Sequence, residues 1–185
     1  MARAGLTTES VVSAAAEIAD RNGLDALTLA AVAAVLGVKA PSLYAHVGGL
    51  DDLRARLAVR AAEQLGDALA PAAAGLARAD AVRAVGHAYR RWVLDHPGLY
   101  ATLEPALPQP EPAVERVLAL VLAVLRGYGL EGDEAVHAAR TVRAALHGFV
   151  MIEVGGGFGI PVDRSSSFDW MLAALDRGLS RPRGR

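Results

Sequence analysis

The stretch TLAAVAAVLGVKAPSLYAHV, residues 28–47, constrains the chain most. It holds two short runs with apolar residues at three- and four-residue steps, and a run that short does not stay helical without a neighbour to pack on. The Thr28 hydroxyl can accept an N–H of the first turn, Leu29, Val32, Ala33 and Leu36 share one face, and Gly37 ends the run. Pro41 then sits in the first turn of a second segment, Ala40 to Val47, where its missing N–H does no harm. A longer helix precedes both, capped at Thr7 or Thr8, with Val11, Val12, Ala15, Ile18 and Ala19 in period and a stop at Asn22-Gly23.

A braced pair of short helices around a glycine turn is the helix-turn-helix plan. In that plan the first helix of the pair braces on the DNA backbone and the second lays its N-terminal residues in the major groove. Ala40, Pro41 and Ser42 are small enough to approach base edges, while Leu43 points inward as core. Any DNA contact must be local, because the net charge is −1 and residues 1–60 hold six basic and six acidic side chains. Phosphate neutralisation drives non-specific affinity, so a neutral module leans on a paired second subunit.

From Leu50 the pattern continues as a long connector, with Leu53, Leu57, Ala61 and Leu65 four apart, interrupted at Pro71 to Gly75. The rest reads as helices: Arg78 to His96 ended by HPGLY, then a proline-rich PALPQPEP loop, then Val114 to Tyr128. Asp133 to about Val154 follows, then a GGGFGIP loop and a last helix capped within Ser165–Ser167. The expected fold is all-α: residues 1–49 as a three-helix DNA-binding domain, and 50–185 as connector helix and larger helical domain. At 53% hydrophobic and 21% charged over 185 residues, the chain can fold as such a module pair.

No cysteine is present, no N-terminal apolar core suits a signal peptide, and no apolar run reaches about 18 residues. A cytoplasmic protein without a membrane span is expected. His46, His87, His96, His137 and His147 show no zinc spacing, there is no G-x-S-x-G elbow, and the glycines at 155–157 lie between helices. No catalytic residue, metal or cofactor is therefore assigned. Two other classes compete: an enzyme, and a helical interaction protein whose DNA module has decayed.

VVSAAAEIADRNGLDALTLAAVAAVLGVKAPSLYAHVGGLDDL resembles the DNA-binding domain of the TetR-type family of bacterial transcriptional regulators. The matching features are Ala14-Ala15, Gly23, Thr28, Val32-Ala33, Gly37-Val38, Leu43-Tyr44, His46-Val47 and Leu53 at the family's spacing. YRRWVLDHPGLYATL and AALHGFVMIEVGGGFGIPVDRSSSFDWMLAALDRGL resemble a C-terminal domain type of that family named for a Trp-His-Gly motif, with Leu146 standing where the tryptophan would be.

The resemblance implies a ligand-responsive regulator, by family habit a repressor, that binds a palindromic operator in double-stranded DNA as a homodimer and is released by a small-molecule effector. It implies DNA contacts from Thr28, Lys39, Ala40, Pro41, Ser42, Tyr44 and His46. Lys39, the only lysine beside eighteen arginines, stands at the mouth of the recognition helix, where it reaches a guanine edge or a phosphate. The competing account of Lys39 is base composition alone. Lys39 replaces the family's usual serine-like cap, and Leu50 replaces a phosphate-gripping lysine. Arg3, Arg54 and Arg56 are further phosphate candidates. Pocket candidates are Tyr89, Trp92, Tyr100, Leu103, Leu118, Leu122 and His147, as aromatic and aliphatic walls with a few polar groups. Dimer candidates on the last two long helices are Leu146, Phe149, Val150, Ile152, Met171, Leu172 and Leu175, which could equally be intrachain core.

Overall fold

The fold comes from a computed structural model that describes residues 6–103 and 111–180. Arg3 and residues 105–110 of the proline-rich loop lie outside the described residues. Those described form helices and connecting turns, with no strand among them.

Local chemistry explains the first boundaries. Helix α1 (Thr8–Asn22) opens on Thr7, whose side chain accepts from Ser10 N while Ser10 Oγ accepts from Thr7 N, a reciprocal capping box. It closes at Gly23, φ 82°. A 3-10 turn, Leu24–Ala26, leads to α2 (Leu29–Leu36), capped by Thr28 Oγ1 accepting from Ala31 N at 3.0 Å. Gly37, left-handed at φ 66°, ends α2. Its N–H donates to Ala34 O and that of Val38 to Ala33 O, the paired Schellman bonds that absorb carbonyls left over at a helix end.

Helix α3 (Leu50–Ala73) runs through Pro71, two residues beyond the expected interruption. A proline so near the C-terminus removes a single N–H donor, and the stop falls on Gly75, φ 73°. Helices α4 (Arg78–Asp95), α5 (Pro97–Ala101), α6 (Pro112–Arg126), α7 (Gly132–Val154) and α8 (Arg164–Leu179) follow. Helix α8 is capped by Asp163, ahead of the expected serines. Its carboxylate accepts from the N–H groups of Ser165 and Ser166 and from the Ser166 hydroxyl, three donors that no single serine oxygen serves as well.

Two compact units result, and they interleave along the chain. One reaches Glu63 and takes in Asp95 to Glu111; the other holds Gln64–Leu94 and everything from Pro112. The chain-order division at residues 49 and 50 differs from this, because HPGLY builds a helix that packs beside α1. The first unit's core is Val11, Ala15, Val32, Leu43, Leu53 and Leu57, all fully buried. The second centres on Val93, Val150 and Phe168, also fully buried. No described helix is long and apolar enough to cross a membrane.

Candidate nucleic-acid interface

After Gly37 the chain turns through Lys39, φ −82°, ψ 141°, into a 3-10 helix, Ala40–Ala45, with Pro41 in its first turn. Lys39 makes no side-chain cap bond, as expected of a group with no acceptor. The segment is shorter and tighter than the helix expected to Val47. Ser42 N donates to Lys39 O and His46 N to Leu43 O, three-residue closures, and Gly48-Gly49 follows at once.

Two buried anchors hold it. Leu43 is 0% and Val47 2% exposed, and burial of side chains this size contributes about 2 kcal/mol each. The Thr8 hydroxyl donates to His46 O at 3.3 Å, tying the segment's end to α1. Beyond it, Gly48 N donates to Asp52, whose carboxylate also takes Arg56 Nε at 2.9 Å; the arginine first and the glycine second hold Asp52 below the usual carboxylate range.

With its anchors inward, the segment presents Lys39, Pro41, Ser42, Tyr44 and Ala45 outward, with Ala40 and His46 half-buried. Tyr44 is 62% exposed, so its ring is not core. Thr28 is exposed at the N-terminus of α2. The structure thus gathers Thr28, Lys39, Ala40, Pro41, Ser42, Tyr44 and His46 on one module.

Contacts that sequence reasoning missed brace this module. Arg60 of α3 pairs with Glu9 at 3.0 Å and donates to Ser13 Oγ at 2.9 Å, both on α1. Asp20, near the end of α1, accepts from Leu99 N at 2.7 Å with one carboxylate oxygen and meets His96 Nδ1 at 3.1 Å with the other. It therefore caps α5 from another helix. Gly98 packs on the Ala19 carbonyl so closely that no side chain fits there. Proline at the first position of α5 was the local signal of a helix start.

In the second unit, Tyr89 and Trp92 of α4 are buried, Leu122 and His147 half-buried, and Leu118 is 51% exposed. Tyr100, buried, and Leu103, half-buried, belong to the first unit. A cleft of about 60 Å³ lined by Ala79, Arg83, Leu172, Ala173 and Asp176 holds none of these and is small against the roughly 300 Å³ or more typical of ligand pockets. Of the dimer candidates, Leu146, Val150 and Leu172 are buried within the protomer. Leu172, for one, covers Gly86 of α4, so these three serve the intrachain core. Phe149, Met171 and Leu175 are half-buried and Ile152 is exposed.

A polar cluster also fixes that unit's helices. Arg90 of α4 grips Glu153 of α7 with two bonds, 2.8 and 2.7 Å, and donates to Ser165 Oγ of α8 at 3.2 Å. Its guanidinium lies 5.1 Å from the Phe168 ring centroid. The bonds from Arg90 are the main reason Glu153 sits below the usual carboxylate range. His87 Nε2 lies 2.8 Å from Asp169 Oδ1. Tyr128 donates to Asp176 at 2.6 Å, and burial, then that acceptor, pushes its phenol up. Among the described residues no group of three or more His, Cys, Asp or Glu is placed to hold a metal ion.

Comparison with known proteins adds the lineage. Residues 11–57 match the bacterial regulatory proteins of the tetR family, and residues 82–175 the tetracyclin repressor-like C-terminal domain. The chain is 39% identical over 183 residues to an uncharacterized HTH-type transcriptional regulator of Mycobacterium tuberculosis, covering 96% of this chain and 84% of that one. It is 35% identical to another, from Bacillus subtilis, covering 96% and 94%. Apo ActR from Streptomyces coelicolor shares the fold at TM-score 0.75 and 22% identity, with 96% of each chain covered. A single-residue variant of TetR from Acinetobacter baumannii, crystallised with minocycline, does so at 0.76 and 23%, with 98% and 100% covered. The chain belongs to the TetR family of bacterial transcriptional regulators. It is a DNA-binding regulator and not an enzyme.

Proposed function

We propose that this regulator is a cytoplasmic repressor that binds a palindromic operator as a homodimer and leaves it when a small molecule binds the C-terminal domain. The observation that carries the reading is the outward face of residues 39–45, held rigid by Leu43 and Val47 and free of covering structure within its unit. Ser42, with Ala40 and Pro41 beside it, faces bases; Thr28, Tyr44 and His46 hold phosphates.

For the dimer, α7 and α8 of two subunits form a four-helix bundle. A side chain at Gly148 would meet nothing within 4 Å inside the protomer, so the protomer's own packing gives no reason for a glycine there. Trp170 of α8, 71% exposed, is the anchor that sequence reasoning passed over, and exposed Ile152 joins it. Phe149, Met171 and Leu175 complete the patch. The effector enters beside Tyr89, Trp92, Leu122 and His147, and shifts the population toward a form that cannot hold both half-sites. The minocycline bound to the Acinetobacter neighbour is the kind of effector envisaged.

Selection from random duplexes at one stated salt concentration tests the reading. Two short inverted half-sites are expected, and an unenriched pool overturns it. Trp170→Glu should yield monomers in sedimentation and lose the two-half-site complex.

A further inference from the structure

From Thr28 to Val47 the chain holds no Arg, Asn, Gln, Asp or Glu. Those are the side chains that read bases by hydrogen bonds at long reach: Arg on guanine, Asn or Gln on adenine, acids on cytosine. What the recognition segment presents instead is the Pro41 ring, the Ala45 methyl, half-buried Ala40 and one short hydroxyl, Ser42, beside Tyr44 and half-buried His46, which the operator reading gives to phosphates. The only long cation there, Lys39, sits at the turn before the helix. Pro41 also fixes the backbone of the first turn, so these apolar groups are presented in one arrangement.

Resting on the operator reading above, we propose that this module reads its half-site chiefly through the C5-methyl groups of thymine, with Lys39 the only long cation in the segment able to reach a guanine edge. The thymine methyl is the one apolar feature a base pair shows in the major groove. Ala and Pro carbons can discriminate by covering it, and can do little else. The half-site should therefore be rich in T·A pairs at the steps under Ala40, Pro41 and Ala45. Guanine is expected beside Lys39 or under the Ser42 hydroxyl.

The test alters the DNA and leaves the protein intact, so misfolding cannot confuse it. Using the operator recovered by selection, each thymine is replaced by uracil in turn, which deletes the methyl and keeps the hydrogen-bonding edge. Affinity is expected to fall about four-fold per contacted methyl, and about fifteen-fold when both half-sites change. Uracil outside the footprint should have no effect, and Lys39→Ala should leave the uracil penalty unchanged. Unchanged affinity across the uracil series overturns the proposal, as does a recovered half-site without thymine. An unenriched selection is a different failure, which sinks the operator reading and this one with it.

Discussion

Gly98 and Gly148 look alike in the sequence and face opposite environments. A methyl at Gly98 collides with the backbone of Ala19 and Asp20, which cannot give way as a side-chain end would. Gly98→Ala should cost about 3 kcal/mol despite the gain in helix propensity, read as a lower thermal midpoint. At Gly148 a methyl meets open space within the protomer. Gly148→Ala should stabilise the isolated protomer by about 1 kcal/mol, the usual preference for alanine inside a helix. If α7 is the interface it should at the same time raise the dimer dissociation constant. Sedimentation equilibrium beside thermal melts separates the two effects, and an unaffected dimer would move the interface away from Gly148.

Among elements, what a cap or glycine signals locally was legible in the sequence, and what another helix supplies was not. Helices α1 and α2 were readable because Thr7, Thr28, Gly23 and Gly37 act on their own turns. Helix α5 was not, because its Leu99 N–H is satisfied by Asp20, 79 residues away. The short segment after Gly37, with Leu43 inward, was likewise legible from local pattern, whereas burial of Leu146, Val150 and Leu172 depends on packing that periodicity does not show. The Arg90–Glu153 pair belongs to the same hidden class, and it fastens α4 to α7. Both side chains are largely buried, at 12% and 8% exposed. Glu153→Gln, which strands a buried guanidinium, should cost about 3 kcal/mol, and the double change Arg90→Met with Glu153→Met should cost less. Glu153 is held below its ordinary value of 4.5 in the folded chain. Its contribution is therefore full above that value and is lost as pH falls toward the folded pKa. Urea unfolding at about pH 7 and about pH 4 should show a larger loss in the native chain than in Glu153→Gln.

For the whole molecule, the distribution of charge sets how it would hold DNA. Among the described residues up to Glu63 the cations are Arg21, Lys39, Arg54, Arg56 and Arg60. Three are already engaged: Arg21 with Glu17, Arg56 with Asp52, and Arg60 with Glu9. Lys39 and Arg54 remain. Counting the described residues of this stretch alone, a dimer thus brings four disengaged cations to its operator. Each neutralised phosphate contributes about −0.9 to the slope of log affinity against log salt, so the slope should be about −4 if Lys39 grips phosphate and about −2 if it faces a guanine. Binding titrations from about 50 to about 300 mM potassium chloride on the selected operator measure it directly. Lys39→Ala should flatten the slope by about 2 if the lysine grips phosphate in both subunits. The slope should stay where it is if Lys39 faces a guanine. A native slope near about −8 would mean that the paired arginines turn to the DNA, and that the neutral module is an acquired state of the free protein.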